Sequence, residues 1–183
     1  MVCVTAGHNH QWSAWTLPNQ GEVTCNLYSL WASENIMKIN RTTRYTNRAA
    51  DQNAYFASGT FPASFDTNTG IMQIMQLQEN AGGRLNYTGG WQFWSRFLKR
   101  MQELPGTAAV ATDDAKIQTW INETSIAAGK NLVPFYRCVL PAAAVDWSAL
   151  QSCCSSPGAA RAPFHQHCVT RQGIPSVRVA LDL

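Results

Sequence analysis

The sequence is poor in charged residues and has no long hydrophobic run, and both absences exclude classes of protein. Charged side chains make up 14% of the 183 residues, and the net charge of +3 is too small and too dispersed to predict nucleic-acid binding. No stretch reaches the roughly 18 apolar residues that a transmembrane helix needs, so no membrane span is predicted. The start Met1-Val2-Cys3-Val4-Thr5 has neither a basic region nor a long apolar region, and it predicts no signal peptide.

The composition that is present is typical of a folded domain. Hydrophobic residues make up 45% of the chain and include seven tryptophans, which is too apolar for a disordered protein. The length predicts one domain with a sizeable core. Six cysteines would suit an oxidising compartment, but the three glycosylation sequons, at Asn40, Asn86 and Asn122, are close to the number expected by chance. Compartment and oligomeric state therefore stay open.

Apolar residues recur at helical spacing in four stretches, which predicts a mainly α fold. The predicted helices begin at Gly21, near Ile71, at Trp91 and after the cap Thr112-Asp113. A short helix is also predicted near 47–57. After Tyr136 the periodicity is lost, and we expect an irregular, Ala-, Ser- and Pro-rich tail over 138–183 whose order the sequence leaves open.

Two residues near the start have the spacing of zinc ligands. His8 and Glu22 are separated by thirteen residues, a distance at which two successive helices can each present one ligand. Zincin metallopeptidases take two histidines from a His-Glu-x-x-His helix and a third ligand from the next helix. Here Val4 and Thr5 occupy the positions of the first histidine and of the catalytic glutamate. The ordinary alternative for Glu22 is a first-turn glutamate that is stabilised by the helix dipole.

The segments Gly7-His8-Asn9-His10-Gln11 and Gly21-Glu22-Val23-Thr24-Cys25-Asn26-Leu27-Tyr28 resemble the enhancin-like, mucin-targeting zinc metallopeptidases (metallopeptidase family sixty). The resemblance covers about Ala6 to Tyr136 and is most specific in the first thirty residues. It implies that residues 1–137 are the helical C-terminal half of a zincin-type peptidase domain. It also implies a zinc cofactor, glycoprotein or peptide substrates, and a secreted or cell-surface location.

The departures from the family pattern predict an inactive chain. His8 and Glu22 are the expected zinc ligands, no catalytic residue is expected, and two protein ligands predict weak zinc binding. A threonine at position 5 cannot act as a general base near neutral pH. Two explanations remain open: an incomplete gene product whose missing segment carried His-Glu, or a pseudopeptidase that serves as a glycan- or protein-binding module.

Three other groups of residues are weaker candidates for a site. His10 points away from His8 on a helix, so a structural or second-shell role is expected for it. Arg41, Arg44 and Arg48 could face anionic glycans, but a solvated helix face is the favoured interpretation. The tail residues Cys153, Cys154, His165, His167 and Cys168 match no known zinc spacing, and no metal site is predicted there.

Overall fold

The fold is described from a computed structural model of the chain. It describes residues 7–17, 20–39, 51, 54–55, 57, 65–78, 90–104 and 112–140. Of these residues 78% are helical and none forms a β-strand, so the mainly α prediction is confirmed. In this part of the chain, no helix is both long and apolar enough to cross a membrane.

In the described part of the chain, five α-helices with defined bounds follow a short 3-10 helix at Ser13–Trp15. They are α1 (Gly21–Asn35), α2 (Thr67–Gln78), α3 (Trp91–Glu103), α4 (Asp113–Ala128) and α5 (Val133–Val139). The four helices that periodicity predicts correspond to α1 through α4. Residues 51, 54–55 and 57 are helical as well, and the rest of the predicted helix near 47–57 lies outside the described residues.

Helices α1 and α2 pack closely because a glycine stands where they meet. A Cβ added at Gly70 would clash with the side chains of Gln20 and Val23. The amide of Gln20 donates 2.8 Å to the carbonyl oxygen of Phe65, just before α2. Gln20 is 1% exposed, so this bond joins the two helices inside the core. Gln20, the residue just before α1, therefore contributes a buried hydrogen bond to the packing of α1 on α2.

Helices α3 and α4 contribute a group of packed aromatic side chains to the core. Phe97 of α3 meets Trp120 of α4 edge to face, with ring centroids 4.7 Å apart. Trp94 lies 6.1 Å from Trp120 and 5.5 Å from Phe97, and all three side chains are buried. Such pairs contribute roughly 0.5–1.5 kcal/mol each beyond the area they bury. The apolar face of α3 is therefore opposed by a matching face of α4.

A side-chain hydrogen bond begins α4, a left-handed glycine ends it, and a second side-chain hydrogen bond joins it to α5. The Thr112 hydroxyl accepts from the backbone N–H of Ala115, which confirms the predicted N-cap. At the other end Gly129 adopts φ +64°, a left-handed conformation that glycine enters without cost. The turn brings the hydroxyl of Tyr136, on α5, within 2.9 Å of the Thr124 hydroxyl. This pairing satisfies two buried polar groups and docks α5 on α4.

The predicted division into residues 1–137 and a tail stays a prediction. Val139 and Leu140 are buried against the helical core, so packing continues at least to residue 140. Residues 1–6 and 141–183 lie outside the described residues.

Candidate metal centre

His8 stands on a short helical turn that packs directly on α1. Residues 7–9 are helical, and Gly7 is buried. A Cβ added at Gly7 would clash with the carbonyl oxygen of Cys25 in the middle of α1. Only glycine lets the two backbones approach this closely. This contact carries the next residue, His8, to the beginning of α1.

Glu22 meets His8 there, as the thirteen-residue spacing predicts. Glu22 lies in the first turn of α1, and its Oε1 is 3.4 Å from His8 Nε2. The side chains are 41% exposed for His8 and 60% exposed for Glu22. The structure thus brings together both predicted ligands at the surface. Whether they hold a metal ion stays a prediction.

Gln11 orients the imidazole of His8 from the opposite side. His8 Nδ1 lies 3.0 Å from Gln11 Oε1. The amide nitrogen of Gln11 donates to the carbonyl oxygen of Gly21, at 2.6 Å, and to the Thr24 hydroxyl. Since that nitrogen is engaged on α1, the amide oxygen faces His8 and accepts from Nδ1–H. The lone pair of the imidazole then lies on Nε2, the nitrogen that faces Glu22.

Cys25 is the neighbour that sequence reasoning missed. It lies one helical turn after Glu22, and its Sγ is 3.8 Å from Glu22 Oε2. The thiol also donates to the backbone carbonyl of Glu22, at 3.2 Å. The side chain is fully buried, and burial together with the Glu22 carboxylate raises the pKa of the Cys25 thiol to about 11. The i, i+3 spacing from Glu22 is the signal that could have identified it.

The three residues form one donor group, which we call the His8–Glu22–Cys25 cluster. Their ligand atoms all lie within 4.8 Å of one another, and no other such group of three occurs in the part of the chain that the structure describes. An imidazole, a carboxylate and a thiol are all ligands that zinc accepts in proteins. The donor set therefore fits a zinc ion.

A small cavity of about 10 Å³ beside Gln11 holds at most one water and is too small for a substrate.

Of the remaining sequence candidates, His10 lies in the part of the chain that the structure describes, and it contributes no ligand to this cluster. His10 is exposed and packs against the Tyr28 ring, with centroids 5.4 Å apart, which agrees with a structural role. Val4, Thr5, the three arginines near residue 44 and the tail histidines and cysteines lie outside the described residues.

Comparison with known proteins supplies the family. The profile of the family described as Peptidase M60, enhancin and enhancin-like, matches residues 6–138. Members of that family are generally zinc-dependent. The match begins one residue before Gly7 and includes the whole His8–Glu22–Cys25 cluster.

Curated relatives are several times longer than the matched segment. A TRPM8 channel-associated factor homolog of Xenopus laevis is 29% identical over 137 residues, which are 72% of this chain and 14% of the relative. TRPM8 channel-associated factor 3 of Rattus norvegicus is 26% identical over the same shares. The chain therefore spans about a seventh of the length of these relatives.

A solved structure shares the fold. A protein from Bacillus anthracis, described as functionally unknown and conserved, superposes with a TM-score of 0.63 and 25% sequence identity. The superposition covers 82% of this chain and 29% of the other.

Proposed function

We propose that this chain retains metal ligands but does not hydrolyse peptide bonds. It belongs to the M60 family of enhancin and enhancin-like peptidases. His8 and Glu22 are the proposed ligands of a zinc ion. The substrate class of such a domain is glycoprotein of the mucin type, and a secreted or cell-surface location is proposed with it. No residue of this chain is assigned a catalytic role.

The observation that carries the proposal is the closeness of His8 to Glu22 in a chain that has Val4 and Thr5 at the other two positions. The 3.4 Å between Nε2 and Oε1 supports a shared ligand site. Bound zinc would supply polarisation of a carbonyl group and acidification of a water molecule. Thr5, however, cannot accept the proton of that water near neutral pH, and loss of a general base typically costs about 10²–10⁴ in rate.

Peptidase assays of the purified chain test the loss of activity. We expect no cleavage of mucin or casein above background, with or without added zinc. Chelator-sensitive cleavage that copurifies with the chain through two different columns would contradict the proposal.

Restoring the family motif tests His8 as a ligand. The double variant Val4→His/Thr5→Glu would place two histidines four residues apart on one helical face, where they can share a metal ion. We expect its zinc content after dialysis to rise above that of the unaltered chain. Adding His8→Ala should abolish the gain. A gain that survives His8→Ala would show that His8 is not a ligand.

A second function is supported by the names of the curated relatives. They are called channel-associated factors, a name that denotes association with another protein. The second candidate is accordingly a non-enzymatic protein- or glycan-binding module. Retention of the chain on a mucin-coated surface measures this binding directly. Retention without cleavage that is unaffected by chelator and by His8→Ala would favour the binding module. Absence of retention would exclude mucin glycoproteins as its partner.

A further inference from the structure

Cys25 completes a group of three donors that the family pattern does not include. His8 approaches from the 7–9 turn, while Glu22 and Cys25 project from successive turns of α1. The imidazole and carboxylate are exposed, whereas the thiol lies beneath them and is 0% exposed. An ion held by all three would sit at the surface, with the sulfur at the base of its site.

We propose that Cys25 is the third protein ligand of this site, and that His8, Glu22 and Cys25 together bind one thiophilic divalent cation of the Zn²⁺, Co²⁺ or Cd²⁺ type. This inference rests on the part of the proposed function that makes His8 and Glu22 ligands. It does not depend on whether the chain hydrolyses peptides.

The separations of the donor atoms are close to those of a tetrahedral zinc site. Ligands about 2.0–2.3 Å from a tetrahedral ion lie roughly 3.3–3.7 Å from one another. His8 Nε2 and Glu22 Oε1 are 3.4 Å apart, and Cys25 Sγ is 3.8 Å from Glu22 Oε2. These two distances end on different oxygens of the Glu22 carboxylate; with one ligand atom taken from each residue, all separations lie within 4.8 Å, so binding needs a contraction of up to about 1 Å.

The charges of the cluster also favour a divalent cation. When the metal binds, the thiol releases its proton to solvent and the thiolate sulfur donates a lone pair to the ion. A thiolate, a carboxylate and a neutral imidazole then balance the charge of +2. A fully compensated charge offsets the cost of placing an ion against a buried sulfur. The open fourth position, on the exposed side, would be filled by water.

The hydrogen bonds around the cluster prepare each ligand. Gln11 holds His8 with its Nδ1 engaged, which leaves Nε2 free to bind the ion. The backbone contact at Gly7 sets the distance between the imidazole and α1. Partners of this kind, beyond the ligands themselves, typically contribute 10–100-fold in metal affinity.

An exposed ion pair above an ordinary buried cysteine is the competing explanation. A His–Glu pair of this exposure stabilises a protein by about 0–1 kcal/mol, and its two ligands alone would bind a metal ion weakly. The Cys25 thiol already donates to the Glu22 carbonyl, as an inert buried cysteine would. The two explanations differ in one measurable respect, a sulfur–metal bond at Cys25.

Titration with Co²⁺ detects that bond through its sulfur-to-metal charge-transfer absorption. The full-length chain is used with Cys138, Cys153, Cys154 and Cys168 replaced by serine, so that thiols from residue 138 onward cannot compete. We expect one equivalent of Co²⁺ to bind with a charge-transfer band and with the visible spectrum of a tetrahedral ion. Cys25→Ser should abolish the band and weaken binding at least tenfold. Cys3→Ser, the matched control, should change neither.

Two further variants and one measurement without any ligand change complete the test. His8→Ala and Glu22→Gln should each weaken Co²⁺ binding at least tenfold. A band that survives Cys25→Ser, or that is lost in Cys25→Ser yet unaffected by His8→Ala, would overturn the proposal. The ¹¹³Cd NMR signal of the chain with all three ligands intact should fall in the range of one sulfur ligand. A signal in the range of nitrogen and oxygen ligands alone would overturn it even if Cys25→Ser fails to fold.

These readouts separate this inference from the proposed function. Peptide hydrolysis by the chain would refute the proposed loss of activity. The Co²⁺ spectrum would still test, independently, whether Cys25 is a ligand. Conversely, a missing charge-transfer band with intact zinc binding at His8 and Glu22 would refute only the role of Cys25.

Discussion

The α3–α4 pair and the His8–Glu22–Cys25 cluster lie in the same helical domain but are held by different interactions. In the pair, Trp94, Phe97 and Trp120 are buried against one another, and many apolar contacts share the stabilisation. In the cluster, the position of His8 depends on one backbone contact at Gly7 and one amide at Gln11. The stability of the α3–α4 pair is therefore sensitive to lost side-chain volume. Metal binding at the His8–Glu22–Cys25 cluster is sensitive to small displacements of His8.

The largest effect is expected from a truncation in the pair. Trp94→Ala removes a side chain that is 1% exposed, and we expect a loss of about 3–5 kcal/mol in unfolding free energy, measured with denaturant. Trp31→Ala is the matched control, because Trp31 lies on α1 and is 46% exposed. It should cost about 0.5 kcal/mol or less. Equal losses would show that α3 is not part of the core.

A single added methyl group should break the cluster. Gly7→Ala places a Cβ against the Cys25 carbonyl, and the resulting shift should cost about 1–3 kcal/mol. We also expect Co²⁺ affinity to fall at least tenfold, because the displaced turn carries His8 away from Glu22. The control is Gly21→Ala, whose added Cβ meets nothing within 4 Å. Unchanged Co²⁺ affinity in Gly7→Ala would show that the close approach does not position His8.

Each region contains a glutamate that faces a basic side chain, and removing the basic partner should affect stability differently in the two regions. Arg100 Nε donates to the Glu123 carboxylate, which is only 6% exposed. Arg100→Met leaves that charge buried, and because Arg100 itself is 39% exposed we expect a cost of about 1–2 kcal/mol. His8→Gln should cost less than about 1 kcal/mol in the metal-free chain.

The double variant Arg100→Met/Glu123→Gln controls for the uncompensated charge. It should recover part of the stability that Arg100→Met loses, because the neutral amide is cheaper to bury than the carboxylate. No recovery would mean that Arg100 acts through its packing instead.

A small effect is expected at Tyr55, whose hydroxyl donates to the Val139 carbonyl oxygen over 2.8 Å. Tyr55→Phe should cost about 1 kcal/mol at neutral pH. Burial raises the pKa of Tyr55 above its usual value of 10.0, so the folded state favours the protonated phenol. The stabilisation is therefore present below pH 10 and is lost as the pH rises above it. Unfolding measured from pH 7 to 11 should show this advantage over Tyr55→Phe shrinking, and a constant difference would contradict it.

Much of the fold could be predicted because its signals are local. The repeat of Val23, Leu27, Leu30 and Trp31 predicts one apolar face of α1; the first three residues are buried, whereas Trp31 is 46% exposed. Thr112 marks the start of α4. The hydrogen bond from Gln20 to Phe65 could not be predicted, since it joins residues 45 apart in the chain. Packing between segments that are distant in the sequence determines such partners, and the periodicity of hydrophobic residues carries no information about them.

The same division applies to the metal centre. The sequence by itself predicted that His8 and Glu22 could meet, from their spacing and from the opening of α1 at Gly21, while the packing of Gly7 on α1 holds them together. Only the tertiary structure decided that Cys25 joins them. The direction of its thiol relative to His8 depends on how the turn at Gly7 packs across α1, and that contact exists only once the chain is folded.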